Sequence, residues 1–168
     1  MLRFRLYYDK DAEEAWLQKM VEQGWALRHY CMGVYTFAPC EPGDYIYRVD
    51  LVPPEAKAGE YEDFLRESGA EPVQRWGRWL YLRRKAAEGP FEVYTDAASK
   101  IALYERIRRF FVWVLVLEVA CFTLELVSAL ETGYALFWVF TGLLFLIVMG
   151  LVRLIVVCDR KIKGLRRG

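Results

Sequence analysis

Histidine is almost absent from this chain: His29 stands alone among 168 residues. The four cysteines, Cys31, Cys40, Cys121 and Cys158, do not combine with it into the ligand spacing of a structural zinc site. No phosphate loop or dinucleotide fingerprint occurs, and none of the three serines (Ser68, Ser99, Ser128) lies in a nucleophile motif. The basic excess suited to nucleic acid is missing too, with a formal net charge of +1. These gaps argue against an enzyme, a metal centre, a cofactor and direct nucleic-acid contact. His29 and Cys31 lie two apart on one strand, the minimum for a Cys/His pair, but the simpler reading is that both line a core.

Long apolar runs are what the chain has in plenty. Phe110 to Leu130 and Tyr134 to Val157 are about 21 and about 24 residues long, and a helix needs roughly 20 to cross a hydrocarbon core. Only Glu131-Thr132-Gly133 separates them, so they read as a transmembrane hairpin over 110–130 and 134–157. Residues 1–100 carry 14 Lys/Arg against 17 Asp/Glu, whereas residues 101–168 carry 9 against 5. The basic residues stand at the ends of the apolar runs: Arg106, Arg108 and Arg109 before the first, Arg153, Arg160 and Lys161 at or after the end of the second. The turn has none, so the positive-inside rule places both termini in the cytoplasm and the protein in the inner membrane as a multi-pass chain. Membrane lipid is then one partner, met at Arg106, Arg109, Arg153, Arg160 and Lys161. The opening MLRFRLYYDKDAEE reads as a strand followed by charge, not as a signal peptide. Cytoplasmic placement suits free thiols. Cys31 and Cys40, beside and beyond a hairpin turn, should lie roughly 20 Å apart.

The first 85 residues read as strand, helix, strand, strand, performed twice. Leu2-Phe4-Leu6-Tyr8 alternates as a strand. Trp16, Leu17, Met20 and Val21 share a helix face, and Gly24 ends that helix. A hairpin turns at Gly33. The second pass has a strand at Tyr45–Leu51, a helix with Tyr61, Phe64 and Leu65 on one side, a stop at Gly69 and a hairpin at Gly77. Trp16 matches Tyr61, Met20 matches Leu65 and Gly24 matches Gly69, while Gly33–Gly77, Tyr35–Trp79 and Phe37–Tyr81 match one residue shorter. A step of about 45 residues suggests two copies about a pseudo-twofold axis. The fold class is therefore α+β, an antiparallel sheet with two helices on one face. A linker and juxtamembrane helix over 86–109, capped at Thr95 or Asp96, lead to the hairpin, and 158–168 is a basic tail.

Glu14-Ala15-Trp16-Leu17, Gly24-Trp25-x-Leu27, Tyr35-Thr36-Phe37, Glu41-Pro42-Gly43-x-Tyr45-x-Tyr47-Arg48-x-Asp50 and Trp79-Leu80-Tyr81 together resemble the bacterial domain of unknown function 2812 over roughly residues 1–85. That resemblance implies a membrane segment after the domain and a link to PadR-type transcriptional regulators, and hence a regulatory role. The doubled topology is also similar to the gyrase-inhibitor-like effector-binding domains, which implies a small-molecule site between the halves.

Aromatic density is the second positive feature. Trp16, Trp25, Tyr35, Tyr61, Trp79 and Tyr81 are core fillers first, and candidates to line an apolar groove for a hydrophobic small molecule. Arg48 and Asp50, on the strand face away from Tyr45 and Tyr47, suggest a cross-strand polar pair. Glu118 and Glu125 fall seven apart on one helix face inside the first apolar run. They are expected either to bond Thr123, Thr141 or backbone carbonyls as neutral acids, or to face a membrane-protein partner or a second copy. The composite expectation is a membrane-tethered sensing or regulatory domain, non-enzymatic, binding a hydrophobic small molecule or a partner protein. The alternative is an accessory subunit of a larger membrane complex such as a transporter.

Overall fold

The computed structural model describes residues 1–7, 9–57 and 59–167. The chain divides into two compact units, Met1–Thr95 and Asp96–Gly168. In the first, alternation at the N-terminus gives the short strand β1 (Leu2–Phe4), and the continuation expected at Tyr8 lies outside the described residues. Asp9 caps α1 (Lys10–Glu22) by accepting from the Asp11 N–H, and Gly24 follows at φ 81°. β2 (Trp25–Cys31) and β3 (Val34–Pro39) form the first hairpin. β4 (Tyr45–Leu51), α2 (Glu60–Glu67), β5 (Glu71–Trp76) and β6 (Trp79–Lys85) follow.

The strands make two three-stranded antiparallel sheets, ordered β1-β3-β2 and β4-β6-β5. Each hairpin closes through two residues, with Cys31 opposite Val34 and Trp76 opposite Trp79. Each also shifts register in its first strand, between Leu27 and His29 and between Pro72 and Gln74. Corresponding hairpin positions therefore keep a step of about 45 throughout. Tyr35 matches Leu80 and Phe37 matches Leu82, not Trp79 and Tyr81. The one-residue slip arises because the hairpin glycine is second in the turn Met32-Gly33 but first in Gly77-Arg78.

This register decides the layers. Leu17, Met20 and Val21 of α1 pack with Leu27, Tyr35 and Phe37 of the first sheet and with Tyr47, Val49 and Tyr81 of the second. Leu65 of α2 packs with Leu80, Leu82 and Val52 on the reverse of the second sheet. The helices thus lie against opposite faces of that sheet, where a single sheet with both on one face was expected. The run Trp79-Leu80-Tyr81-Leu82 is apolar without alternation, the pattern of a strand buried on both faces. α1 also covers the open edge of β4: the Val49 N–H donates to Glu14 Oε1 at 2.7 Å, and Gln18 Nε2 donates to the Tyr45 carbonyl at 3.3 Å.

The first unit continues past the boundary expected at residue 85. A 3-10 turn at Ala86–Glu88 leads the chain back, so that Phe91 is buried with Leu80 and Leu82. The second unit is a pair of long helices, α3 (Ala97–Thr132) and α4 (Ala135–Leu165). Asp96 caps α3 through the Ser99 N–H, and Gly133 ends it in the left-handed region at φ 66°. The two run antiparallel, tied by Arg108–Asp159 at 2.8 Å, Arg166–Glu105 at 2.7 Å and Phe122 against Phe145. Both helices are long and apolar enough to cross a membrane, and their most apolar stretches are 0% and 17% buried. Each contains the corresponding expected apolar run almost entirely, Tyr134 being the residue before α4.

Candidate functional site

The first unit encloses a carboxylate that apolar packing alone does not require. Glu13 stands one turn before Leu17 and two before Met20, so helical periodicity carries it into the core with them. Only 8% of it is exposed. Tyr35 of β3 donates to Glu13 Oε1 at 2.6 Å, and Tyr81 of β6 donates to the same oxygen at 2.7 Å. Burial pushes the Glu13 carboxyl above the usual glutamate range, and the two phenols oppose that rise. Burial, together with Glu13, pushes both phenols far above the usual tyrosine range. They therefore stay O–H donors. The Tyr30 ring packs at a tilt against Tyr35 and Tyr81 and meets Trp76 edge-on, extending the node across both sheets.

A second node lies on the reverse of the second sheet. Asp50, fully buried, accepts from Tyr61 at 2.5 Å, from Tyr94 at 3.2 Å and from the Leu51 N–H at 2.9 Å. Arg48 instead donates to the Tyr47 carbonyl at 2.8 Å. The expected Arg48–Asp50 pair is thus replaced by an aspartate clamped between two phenols. The Tyr61 phenol is raised chiefly by burial and then by Asp50. Tyr47, which donates to the Leu27 carbonyl, is pushed up to about 12 by burial.

The six aromatics singled out from the sequence do not form one groove. Tyr35 and Tyr81 are buried in the first core, with Trp16, Trp25 and Trp79 packed partly exposed around it. Tyr61 belongs to the other core. Trp16 lines a cleft of about 380 Å³, together with Arg3, Phe4, Arg5, Lys19, Met20 and Gln23. Arg5 lies 5.4 Å over the Trp16 ring. Sequence reading passed over Glu13, although an acid on the apolar face of a helix is a visible signal. It also passed over Tyr94, which reaches Asp50 because the chain folds back after β6, and the cationic cleft, which depends on how β1 pairs with β3. His29 and Cys31 share a sheet face as expected, but that face is exposed and does not line a core.

In the second unit Glu118 and Glu125 are half-buried and share the face of Ile107, Phe122 and Ala129. The Oε1 atom of each is buried without a hydrogen-bond partner. Thr123 and Thr141 donate to the carbonyls of Val119 and Phe137 in their own helices. Arg153 is exposed. The pairings Arg108–Asp159 and Phe122–Phe145 set it level with Val114, roughly 6 Å along the axis from Glu118. Arg109 and Arg160 are exposed, Arg106 is half-buried, and Lys161 lies 5.4 Å over the Tyr104 ring.

These features define a mixed α+β domain followed by two helices long and apolar enough to cross a membrane. Residues 9–116 match the family model described as protein of unknown function (DUF2812), and the chain belongs to that family. The match runs beyond the first unit into α3. No curated protein and no solved structure matches the chain.

Proposed function

We propose that this chain is a non-enzymatic binding module held at the inner membrane by the α3–α4 hairpin, with both termini cytoplasmic, whose first unit senses an amphiphilic anion. The cleft beside α1 carries this reading. Arg3, Arg5 and Lys19 supply positive charge, and Phe4, Trp16 and Met20 supply apolar wall. That combination suits a lipophilic carboxylate or phosphate better than a wholly apolar ligand, because a charged head is recognised at one end and a chain at the other. The exposed apolar surface of α3 and α4 supports the membrane anchor. Titrating the intact protein with a panel of lipophilic carboxylates and phosphates should shift its tryptophan emission, and Arg3→Ala with Arg5→Ala should abolish the shift. Unchanged emission across the panel would remove the sensing role.

The unpartnered oxygens of Glu118 and Glu125 favour a second reading, an accessory subunit that docks on a larger membrane protein through that face of α3.

A further inference from the structure

The cleft beside α1 sets two cations against each other. Register places Arg3 opposite buried Tyr35, so its side chain stands on the sheet face that α1 covers. Arg5, two residues on, shares that face and lies 5.4 Å over the Trp16 ring. Arg3 is about 7 Å back along β1. On α1 the cleft is lined by Trp16 and by residues after it, Lys19, Met20 and Gln23, and by none before it. Lys19 and Met20 stand about 5–6 Å beyond Trp16 along the helix. Arg3 and Lys19 therefore come level with each other on opposite walls.

Their lack of partners is an independent observation. Other cations of the first unit hold carboxylates: Lys10 with Glu14, Arg83 with Glu71 and Arg84 with Glu88. Arg5 rests on the rings of Tyr7 and Trp16. The side chains of Arg3 and Lys19 have no hydrogen-bond or ion-pair partner among the described residues, and no acid lines the cleft. Like charges that face each other across a cleft repel. The C-terminal end of α1 offsets only about half a charge of the pair.

Two facing cations suit an anion of two charges. A carboxylate brings one charge and two oxygens. A phosphate monoester brings about 1.5 to 2 negative charges at neutral pH and three free oxygens. Arg3 and Lys19 can each take one of these oxygens, and the Gln23 amide on the α1 wall can donate to the third. Trp16 and Met20, one turn apart on the same wall, offer apolar surface to a chain. We infer that the cleft takes a phosphate monoester with a lipophilic chain, the phosphate between Arg3 and Lys19 and the chain along Met20 and Trp16. This inference rests on the amphiphilic-anion reading above and narrows its ligand to a dianion. A soluble alkyl phosphate and a monoester lipid in the bilayer both present that head.

The test uses the full chain in phosphatidylcholine nanodiscs, with tryptophan emission as the readout. Octyl phosphate, its monomethyl ester and octanoate have similar chains and differ in the head. Octyl phosphate should bind at least about tenfold more tightly than either monoanion, the yield of one further hydrogen bond to a charged group. Arg3→Gln and Lys19→Gln should each erase that preference, while the melting temperature stays level or rises because a repelling charge is gone. Equal affinity for the three ligands would overturn the dianion inference and leave the amphiphilic-anion reading standing. No response to any of them would remove both. A preference that survives both substitutions would also overturn the inference, because the phosphate would then bind elsewhere. Nanodiscs with phosphatidic acid, compared with phosphatidylglycerol at equal charge, separate the sources. Weaker binding of octyl phosphate beside phosphatidic acid makes a bilayer lipid the ligand, and equal binding makes it a soluble ester; either result supports the site.

Discussion

The Tyr81 hydroxyl lies 2.7 Å from Glu13 Oε1, so a strand of the second sheet is bonded to the helix that packs on the first. Tyr81 is 2% exposed, and its partner oxygen also serves Tyr35. Tyr81→Phe and Tyr35→Phe should each lower stability by about 1–3 kcal/mol, the cost of removing a buried bond to a group that still needs donors. Because both phenols reach one oxygen, the double variant should depart from additivity. Urea midpoints of the four proteins measure this. Midpoints for both single variants within about 0.5 kcal/mol of wild type would show that the node contributes nothing.

The same carboxyl makes stability depend on pH. Burial holds Glu13 above the ordinary glutamate value of 4.5, so the folded state binds a proton that the unfolded state has lost. Its contribution is fully present below the unfolded value and is lost as pH rises through the folded one. Wild type should therefore lose stability as pH climbs from about 4.5, and Glu13→Gln should flatten part of that slope. Burial also raises Glu14, which keeps the remainder. Parallel profiles for wild type and variant would contradict the assignment.

Element order was legible because alternation, capping and the stop glycines are local signals. The strand-helix-strand-strand order, the turn Met32-Gly33 and the two apolar helices all follow from them. The layers were less legible. Which face of β6 receives α2 depends on register, and the register depends on whether glycine stands first or second in its turn. Asp50 illustrates the limit for the site. Its neighbour on the same strand face, Arg48, suggested a pair, but the partners come from Tyr61 and from Tyr94, 44 residues downstream.

Tyr94 and Phe91 set where the first unit ends. A fragment of residues 1–95 keeps the Asp50 clamp and the Phe91 packing. A fragment ending at residue 85 exposes the apolar surface of Leu80 and Leu82 and leaves Asp50 with fewer donors. The shorter fragment should lose about 3–5 kcal/mol, the range for deleting a buried phenylalanine. Thermal melts compare them directly, and equal melting temperatures would return residues 86–95 to a passive linker.

Orientation rests on the basic residues outside the turn. Single cysteines at Thr132 and at Arg166, in a background without the four native thiols, should react differently with an impermeant reagent on intact cells. Position 132 should label and position 166 should not, because Arg106, Arg109, Arg160 and Lys161 favour the cytoplasmic side. The reverse pattern would invert the topology, and labelling of neither would remove the hairpin from the membrane.

Glu118 and Glu125 distinguish an anchor from a docking subunit. Their Oε1 atoms are buried without partners, and the hydroxyls of Thr123 and Thr141 are committed to their own helices. A charged carboxylate at mid-bilayer costs about 2.5–3.5 kcal/mol on insertion scales, so Glu118→Gln with Glu125→Gln should insert at least as well as wild type. If the hairpin is an anchor alone, the proteins that co-purify in mild detergent stay the same. If a cation on another subunit faces these acids, the variant leaves it uncompensated, a loss of about 3–5 kcal/mol that dissociates the complex while the first unit stays folded. Carbonate extraction, a melt of the first unit and the co-purification pattern, read on one preparation, tell these outcomes apart. Loss of a partner from an inserted, folded double variant would make the accessory-subunit reading the better one.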